Sequence, residues 1–433
     1  MNIIEIIEKK RDGLILSKEE IEYFIEAYCE GSIAEYQASA FLMAIYFHSL
    51  NKEELAVFTQ AMIKSGKTYD FSKYDGVFVD KHSTGGVGDK TTLVLAPILA
   101  VCGCKVAKMS GRGLSFTGGT LDKMESIPGL KVEINEADFM KQVEEIGCSV
   151  IGQSNDMVYA DKKLYALRDV TGTVSSIPLI ASSVMSKKIA AGSQVILLDV
   201  KCGDGAFMSN QEDAIELAKR MIEIGESAGR KVAAEITSMN DVLGTSVGNA
   251  LEVLEAIETL KGNYDKDFYE LCVHSSCTIL TMAGVCEDEN EARKKVERCI
   301  SDGSALAKLK EMIEHQHGNG EVINNYDLLS ISSKTVNVIA DNEGYLNIVR
   351  VKEIGLLSCA LGAGRMRIED TIDHGVGIVL HKKRYDEIKK GDVLCTLYVN
   401  DTFKESLIDD MKACFVIENH QIEPEPLIYK VLH

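Results

Sequence analysis

The sequence contains no tryptophan and only 5 prolines among its 433 residues, and basic side chains are in the minority. Lysine and arginine number 47 against 66 aspartate and glutamate residues, which gives a formal net charge of −19. Nucleic acids and anionic membranes bind basic surfaces, so the acidic balance argues against both as partners. At the scale of the whole chain, the same balance also disfavours an anionic substrate.

Long apolar runs and closely paired cysteines are missing as well. No stretch approaches the ~18 consecutive apolar residues of a membrane-spanning helix, and the acidic residues within the first apolar run are unlike a secretory signal. The 12 cysteines form no C-x-x-C pair. We therefore expect a cytoplasmic protein whose cysteines are reduced core thiols rather than zinc ligands or redox centres.

Two kinds of hydrophobic spacing divide the chain. Residues 1–65 repeat apolar side chains with helical spacing, as at 21–28 and 41–46, and Ser17 with Glu20 fits a helix capping box. From about residue 70, short β-rich runs alternate with helical segments, which is typical of a mainly parallel sheet. The predicted strands span 76–80, 106–110, 149–152, 195–200 and 231–236, and the predicted helices include 91–101 and 212–228.

The predicted fold is α/β with three parts. Residues 1–65 form a small all-helical domain, completed by the Ser- and Ala-rich stretch at about 162–192. Residues 70–160 and 195–335 form a large mixed α/β domain with a mainly parallel sheet, and residues 345–433 form a C-terminal β-rich (α+β) domain. Ligands of parallel sheets bind beyond the carboxyl ends of the strands, so the loops at those ends are where we look for chemistry.

The first such loop is KHSTGGVGDKTT at 81–92. Its three glycines let backbone N–H groups curve around an anion, and the helix that follows adds positive potential at its N-terminus. Lys81, Ser83 and Thr92 add donors on both flanks, which favours oxyanion binding over an ordinary strand-to-helix turn. A Walker A loop is excluded, because Asp89 stands where that motif needs the glycine before its lysine.

The second loop, KMSGRGLSFTGGTLDKME at 108–125, again combines glycines with the hydroxyl groups of Ser110, Thr117 and Thr120. Residues 81–125 contain six basic and three acidic side chains, so this segment is locally positive within an acidic chain. The two loops together predict one phosphate cradle. Four charged residues of the second loop are interpreted as an ion-paired scaffold: Arg112, Asp122, Lys123 and Glu125.

The strings KHSTGGVGDK and SGRGLSFTGGTLDKMESIPG resemble the thymidine/pyrimidine-nucleoside phosphorylase family, and the resemblance extends along nearly the whole chain through YALRDVTGTVSSIPLIASSVMSKK. It implies reversible phosphorolysis of pyrimidine nucleosides (uridine, thymidine and deoxyuridine) to the free base and (deoxy)ribose 1-phosphate, in pyrimidine salvage. It also implies a homodimer joined through the N-terminal helices and no redox cofactor.

The resemblance assigns roles to individual residues. The phosphate-binding residues that it implies are Lys81, His82, Ser83, Thr92, Lys108, Met109, Ser110 and Thr120. The base-binding residues that it implies are Arg168, Ser183 and Lys187, with His82, Arg168 and Lys187 taking part in catalysis. Phosphate would lie on the α/β domain and the base mostly on the helical domain, and closure of the two would assemble the site.

The base site that the resemblance implies is also consistent with the chemistry of these residue types. Ser183 and Lys187 are four apart, which places them on one face of a helix. Arg168 and Lys187 can donate to the carbonyl oxygens of a pyrimidine ring and stabilise the negative charge that develops there as the glycosidic bond breaks. The alternatives are a solvated helix face at Lys187, a surface pair of Arg168 with Asp169, and an ordinary loop histidine at His82.

The resemblance further implies a monovalent cation, K⁺, held mostly by backbone carbonyl groups. Its ligands would be Gly88, Lys90, Leu243, Ser246 and Glu255. Lys90 stands where a small hydroxyl residue is expected, and a nearby ammonium group would weaken the binding of a cation.

Lys108 bears on the choice of nucleoside. Thymidine-restricted members of the family are expected to carry an apolar residue at this position, whereas a lysine would accept a ribose 2′-hydroxyl group. We therefore predict broad specificity for pyrimidine nucleosides. The alternatives are a thymidine-restricted phosphorylase and an anthranilate-type phosphoribosyltransferase, which would need Mg²⁺ and pyrophosphate chemistry.

Overall fold

The structure, a computed structural model, describes residues 1–113, 116, 118–154, 156–365 and 370–433. Thr117, one of the hydroxyl residues of the second predicted loop, lies outside these residues. The described residues form the three predicted parts, which are an N-terminal helical domain, a mixed α/β domain and a C-terminal β-rich domain. None of the helices within these ranges combines the length and apolarity that crossing a membrane requires.

The N-terminal domain begins with four helices, α1 (Ile3–Arg11), α2 (Lys18–Glu30), α3 (Glu35–His48) and α4 (Lys52–Lys64). The predicted capping box is present before α2, where the Ser17 hydroxyl accepts the Glu20 N–H and the Glu20 carboxylate accepts the Ser17 N–H at 2.6 Å. The predicted apolar face at 21–28 is buried. On α3, Tyr46 departs from the predicted apolar face, because 41% of this residue is exposed.

The next eleven elements are strands separated by one or two helices. They are β1 (Val79–Ser83), α5 (Thr91–Val101), β2 (Val106–Ser110), α6 (Thr120–Glu125), α7 (Glu136–Ile146), β3 (Cys148–Gly152), α8 (Tyr159–Thr171), α9 (Ile177–Ala190), β4 (Val195–Cys202), α10 (Gln211–Ser227) and β5 (Lys231–Ser238). Helices α8 and α9 return to the N-terminal helices, since Lys163 on α8 donates to the Tyr28 carbonyl at 2.7 Å and α9 packs on α4.

Five strands of the α/β domain run parallel in the order β3–β2–β1–β4–β5. A parallel bridge between Phe78 and Lys105 joins the edges of β1 and β2. Neighbouring parallel strands end at the same edge of a sheet, so the loops after β1 and β2 lie side by side. Strand β1 begins and ends three residues later than predicted. It ends later because its pairing with β4 continues through the polar residues Lys81, His82 and Ser83.

The remaining elements are β6 (Ser246–Val247), α11 (Asn249–Leu260), α12 (Lys266–Met282), α13 (Glu289–Ser301), α14 (Ser304–His315), two 3-10 turns (Gly320–Ile323 and Tyr326–Leu329), β7 (Thr335–Ile339), β8 (Gly344–Val349), α15 (Val351–Leu361), β9 (Gly377–Leu380), β10 (Glu387–Ile388), β11 (Val393–Tyr398), α16 (Ser406–Lys412), β12 (Phe415–Glu418) and β13 (Ile428–Leu432). The C-terminal strands form two sheets, in the orders β6–β9–β11–β7 and β10–β8–β12.

The C-terminal part is interleaved with the α/β domain rather than separate from it. Strand β6 belongs to the α/β stretch of the chain but pairs with β9, and β7, which begins before residue 345, pairs with β11. Strand β13 returns to the parallel sheet and pairs antiparallel with β5 at its edge. The strands on both sides of the loop after β5 are therefore held by C-terminal strands, and this loop includes Leu243.

The parallel sheet has an apolar core on each face. Along β4, Val195 and Leu197 belong to the core formed with α5 and α11–α14, whereas Ile196 and Leu198 belong to the core formed with the N-terminal helices and α8–α10. Successive residues of a strand point to opposite faces of the sheet. Burial of both faces explains why the sequence of β4 is a continuous apolar run rather than an alternating one.

Candidate active site

A cleft of about 780 Å³ lies between the carboxyl edge of the parallel sheet and helices α8 and α9. The loops after β1 and β2 form one wall, which we call the sheet wall, and side chains of α8 and α9 form the other, the helix wall. Ten of the eleven residues predicted to bind phosphate or base line this cleft: His82, Ser83, Thr92, Lys108, Met109, Ser110, Thr120, Arg168, Ser183 and Lys187. The eleventh, Lys81, lies beneath the sheet wall.

The first loop turns sharply between β1 and α5. Gly85 and Gly88 have φ angles of 101° and 79°, a region that favours glycine. Asp89 ends the loop, and its Oδ1 accepts the N–H of Thr91 at 3.2 Å and the Thr91 hydroxyl at 2.7 Å. Thr91 and Thr92, the first residues of α5, line the cleft. The N-terminus of α5 therefore borders the cleft, and the Asp89 carboxylate is hydrogen-bonded to its first N–H.

Lys81 carries a buried positive charge under this loop. Its Nζ lies 2.5 Å from the Asp199 carboxylate and donates to the Thr91 hydroxyl at 2.8 Å. Burial disfavours the ammonium form, but the charges of Asp199 and Asp89 outweigh that effect and raise the pKa of Lys81. Lys81 thus stays charged and is matched by carboxylates, and its role as a phosphate ligand stays a prediction.

Asp80 joins the sheet wall to the helix wall. Its Oδ1 lies 2.8 Å from Nζ of Lys108 on β2, and its Oδ2 lies 2.8 Å from Nζ of Lys188 on α9. All three side chains are buried. Burial alone would raise the pKa of Asp80, but the two ammonium groups lower it to about 2. The carboxylate is therefore ionised at neutral pH and holds two cations at the base of the cleft.

Burial and neighbouring positive charges lower the pKa values of Lys108 and His82. Lys108 donates to Asp80 and, at 2.5 Å, to the Lys81 carbonyl, which leaves one of its three ammonium hydrogens for a ligand. Burial lowers the pKa of Lys108 to about 8 despite the opposing charge of Asp80. Burial and the nearby ammonium groups of Lys188 and Lys108 hold the pKa of His82 well below its usual range. At neutral pH, His82 is a neutral imidazole that can donate or accept a hydrogen bond.

The helix wall presents a serine, a lysine and an arginine. Ser183 and Lys187 share one face of α9, as predicted, and Lys187 donates to the Ser183 hydroxyl at 3.2 Å. Nζ of Lys187 also lies 2.6 Å from the Asp161 carboxylate on α8. This side chain is only 29% exposed, so the alternative of a solvated face is excluded.

Arg168 on α8 is buried rather than paired with Asp169 at the surface. Its guanidinium donates to the carbonyl groups of Thr173, Val174 and Leu179 at 3.3, 2.7 and 3.1 Å. These three hydrogen bonds hold the turn between α8 and α9. Two of the five guanidinium N–H groups have no partner among these carbonyls, and Arg168 lines the cleft.

The charged residues of the second loop form the ion pairs that their interpretation as a scaffold expects. Arg112 pairs with Asp122 at 3.2 Å and with Glu125 at 2.5 Å. Nζ of Lys123 lies 3.2 Å from the Glu252 carboxylate and donates to the carbonyl groups of Asp89 and Gly118. Lys123 thereby ties the first loop to the second and both to α11.

Sequence reasoning missed Asp80, Asp161 and Lys188. The position of Asp80 at the end of the run GVFVD was a usable signal, because a charge at the carboxyl end of a buried strand lies where parallel sheets bind ligands. No local signal marks the other two. Lys188 adjoins Lys187 in sequence, and its partner Asp80 is 108 residues away.

The chain matches three family descriptions. The helical bundle domain of the glycosyl transferase family matches residues 4–66, the a/b domain of that family matches residues 75–306, and the pyrimidine nucleoside phosphorylase C-terminal domain matches residues 345–418. The pyrimidine-nucleoside phosphorylases of Staphylococcus haemolyticus (strain JCSC1435) and Staphylococcus aureus (strain MSSA476) are 50% and 49% identical over 432 residues, covering 100% of both chains in each comparison. The chain belongs to the pyrimidine-nucleoside phosphorylase family.

The fold is shared more widely than this family. The crystal structure of anthranilate phosphoribosyltransferase from Thermus thermophilus aligns with 72% of the chain and 98% of that protein, with a TM-score of 0.58 and 17% sequence identity. This similarity concerns the fold alone. The C-terminal match at residues 345–418 sets the chain with the pyrimidine-nucleoside phosphorylases.

The structure brings together the five residues that the resemblance to this phosphorylase family implies as K⁺ ligands. The centre of the set, however, is filled by Nζ of Lys90, which lies 2.7 Å from the Leu243 carbonyl and 2.6 Å from the Glu255 carboxylate. The Gly88 carbonyl accepts the backbone N–H of Lys90 at 3.0 Å. These residues do not fit a K⁺ ion, because the ion and the ammonium group would need the same oxygen atoms.

Proposed function

We propose that this chain catalyses the reversible phosphorolysis of pyrimidine nucleosides, including uridine, thymidine and deoxyuridine, to the free base and (deoxy)ribose 1-phosphate, in pyrimidine salvage. The observation that carries the proposal is that one cleft has anion donors on its sheet wall and Arg168, Ser183 and Lys187 on its helix wall. The names of the relatives at 50% and 49% identity support the same reaction.

Phosphate is proposed to bind to the sheet wall, between the two loops and the start of α5. The helix dipole and backbone N–H groups attract an anion there, and Lys108 adds an ammonium hydrogen that its two present partners leave unused. The hydroxyl groups proposed to hold the phosphate oxygens are those of Ser83, Thr92, Ser110 and Thr120. Lys81 adds charge from beneath the loop.

The pyrimidine ring is proposed to bind to the helix wall. The uncommitted guanidinium N–H groups of Arg168 and the ammonium group of Lys187 donate to the ring carbonyl oxygens, and Ser183 supplies a hydroxyl group. The carbonyl groups that fix Arg168 and the Asp161 carboxylate that fixes Lys187 hold both donors in position before the substrate arrives. Such preorganisation lowers the cost of orienting them in the transition state.

In the proposed reaction, a phosphate oxygen attacks C1′ of the pentose while the bond from C1′ to the ring nitrogen breaks. The base leaves with the electron pair of that bond, and the resulting negative charge spreads to the ring carbonyl oxygens. Arg168 and Lys187 stabilise this charge more than they stabilise the neutral nucleoside. His82, as a neutral imidazole, donates an N–H to the leaving base. Closure of the two walls brings the reactants together and excludes water.

Release of the free base from uridine, thymidine and cytidine, measured with and without inorganic phosphate, tests the proposed function. Base release that requires phosphate and yields the pentose 1-phosphate supports it. Release without phosphate would indicate a hydrolase, and activity that a Mg²⁺ chelator abolishes would indicate a phosphoribosyltransferase. Ser110→Ala and Lys187→Ala should lose activity, whereas Lys163→Ala, which removes an ammonium bound to the Tyr28 carbonyl outside the cleft, should not.

We further propose that the chain forms a homodimer through its N-terminal helices and resides in the cytoplasm. Three large apolar side chains on α1 and α3 are exposed. They are Ile4 on α1, which is 55% exposed, and Tyr36 and Phe47 on α3, which are 77% and 73% exposed. Exposed apolar side chains on adjacent elements are typical of an interface. Eleven of the 12 cysteines are buried, which supports a location where thiols stay reduced.

A further inference from the structure

The Lys90 side chain is a buried cation surrounded by oxygen atoms. Only 1% of the residue is exposed. Its Nζ donates to the Leu243 carbonyl at 2.7 Å and to the Ser246 carbonyl at 3.3 Å, and it lies 2.6 Å from Oε2 of Glu255. One ammonium group therefore collects two carbonyl oxygens and one carboxylate from other segments of the chain.

These contacts connect the phosphate wall of the cleft to distant parts of the sequence. Lys90 is the last residue before α5, and Glu255 lies on α11. Leu243 lies in the turn that leads into β6, and Ser246 is the first residue of β6. The turn packs directly on the first loop, since a Cβ atom on Gly88 would lie 2.6 Å from the Leu243 carbonyl oxygen. The ammonium group thus couples the shape of the first loop to α11.

The surroundings of the ammonium group are fixed and carry one negative charge. The Glu255 carboxylate accepts the N–H groups of Thr245 and Ser246, each at 2.8 Å. A Cβ atom on Gly244 would lie 2.6 Å from Nζ of Lys90, so the backbone closes over the ammonium. A buried carboxylate beside carbonyl dipoles requires one positive charge, and Lys90 supplies it.

We propose that the Lys90 ammonium is a built-in monovalent cation, which takes the place of a bound K⁺ and makes the geometry of the first loop independent of the cation in solution. A separate K⁺ would have to bind against an equal charge and share its oxygen ligands. Replacing Lys90 by threonine, a small hydroxyl residue, removes the internal charge and opens the position. In that variant K⁺ becomes the cation that the carbonyl groups and Glu255 require.

Thermal unfolding of the full chain in potassium chloride and in choline chloride, at equal ionic strength, tests the proposal. Crystals soaked with thallous ion, a heavy K⁺ analogue, show directly whether a cation binds. The wild-type midpoint should be the same in both salts, with no thallium between Leu243 and Glu255. The Lys90→Thr midpoint should be depressed in choline chloride and should rise with potassium concentration, as expected for an ion that binds the native state, and thallium should bind.

Lys10→Thr is the matched control. It removes another buried ammonium, which lies 2.9 Å from the Glu54 carboxylate within the N-terminal helices, with both side chains 3% exposed. Its midpoint should fall equally in the two salts. A potassium-specific recovery in Lys90→Thr alone then assigns the effect to the carbonyl-lined position rather than to the loss of any buried charge.

Several outcomes overturn the proposal. The first is a wild-type midpoint that rises in potassium chloride, with thallium bound at Glu255. The second is a Lys90→Thr variant that gains no stability from potassium. The third is failure of both Lys90→Thr and Lys90→Ala to fold in potassium salts. Folding of either variant only in potassium salts supports it.

Uridine phosphorolysis adds a readout that rests on the proposed function. Potassium should change the wild-type rate by less than about twofold and raise the Lys90→Thr rate by about fivefold or more, the usual size of coupling between two sites. A wild type without any phosphorolysis would count against the proposed function only. The unfolding midpoints and the thallium position would still decide the role of Lys90.

Discussion

The ammonium group of Lys188 on α9 lies 2.8 Å from the carboxylate of Asp80 on β1, so one buried ion pair connects the helix wall of the cleft to the sheet wall. The other oxygen of the same carboxylate holds Lys108. Removing a residue that pairs with two buried cations leaves both without compensation, which is more costly than losing a surface pair. Asp80 is therefore a structural support of the site as well as a source of its charge balance.

Asp80→Asn is expected to lower the free energy of unfolding by about 3–5 kcal/mol, the usual cost of leaving a buried charge unpaired. Urea denaturation measures the change. Asp12→Asn is the matched control, because Asp12 pairs with Arg11 at the exposed surface and its loss should have little effect. An Asp80→Asn variant as stable as the wild type would show that the two lysines do not depend on this carboxylate.

The acid dependence of stability provides a signature of the same carboxylate. The pKa of Asp80 is about 2 in the folded protein, below the value of about 3.9 for an unfolded chain. Its stabilising contribution is therefore complete above about pH 4 and disappears as the pH falls towards 2. The difference in unfolding free energy between wild type and Asp80→Asn should shrink over this window, and a difference that stays constant would contradict the assigned pKa.

Lys108 predicts a loss of activity on the alkaline side. Its pKa is about 8, so the ammonium group proposed to bind phosphate loses its charge as the pH rises through that value. The ratio kcat/KM for phosphate reports the free enzyme and should fall above about pH 8. Lys108→Arg keeps its charge at high pH and should shift this fall upward. Identical profiles for the two proteins would assign the alkaline fall to another group.

Lys108 is also expected to determine whether the enzyme accepts ribonucleosides as well as deoxyribonucleosides. If the one free ammonium hydrogen is shared between phosphate and the 2′-hydroxyl group, Lys108→Met should lower the ratio of kcat/KM for uridine to that for thymidine by about tenfold or more, as expected for a hydrogen bond to a charged group. Using the ratio cancels the damage to Asp80 and to phosphate binding, which both substrates share. An unchanged ratio would rule out Lys108 as the determinant of sugar specificity.

Lys187 is expected to matter in the transition state. Lys187→Met removes a cation from the position where we propose that the leaving base becomes negative, and kcat should fall by about 10²–10³-fold, as for loss of one preorganised donor. Steady-state kinetics with uridine measures the effect. Lys163→Met on the neighbouring helix α8 removes an ammonium that binds the Tyr28 carbonyl and should retain wild-type activity. Equal losses in the two variants would point to disruption of the helical domain instead.

Local sequence pattern predicted the elements whose signal is local. The strand at 106–110 appears with those bounds, and the helix predicted at 212–228 is displaced by one residue, because apolar spacing within one element determines both. The strand predicted at 76–80 is found at Val79–Ser83 instead. Its last three residues are polar, and only pairing with β4, more than a hundred residues away, makes them part of a strand.

Contacts between distant segments account for what the sequence did not predict. The return of β13 to β5 depends on a pairing that neither strand encodes by itself. At the site, the spacing of Ser183 and Lys187 on one helix was predictable, whereas the pairing of Lys188 with Asp80 joins two domains. Residue types indicated what chemistry the loops can perform, but the partners of each buried charge required the folded chain.

Three buried lysines each face one buried glutamate, at Lys10–Glu54, Lys90–Glu255 and Lys123–Glu252. Such pairs cancel in the interior and leave the acidic excess of the chain at its surface. The field of that surface decays over about 8 Å at physiological ionic strength. A phosphate ion that binds in the cleft as proposed would be repelled on approach and attracted only once inside, so added salt is expected to speed its capture. A long polyanion, which cannot leave the outer field, is expected to be kept away.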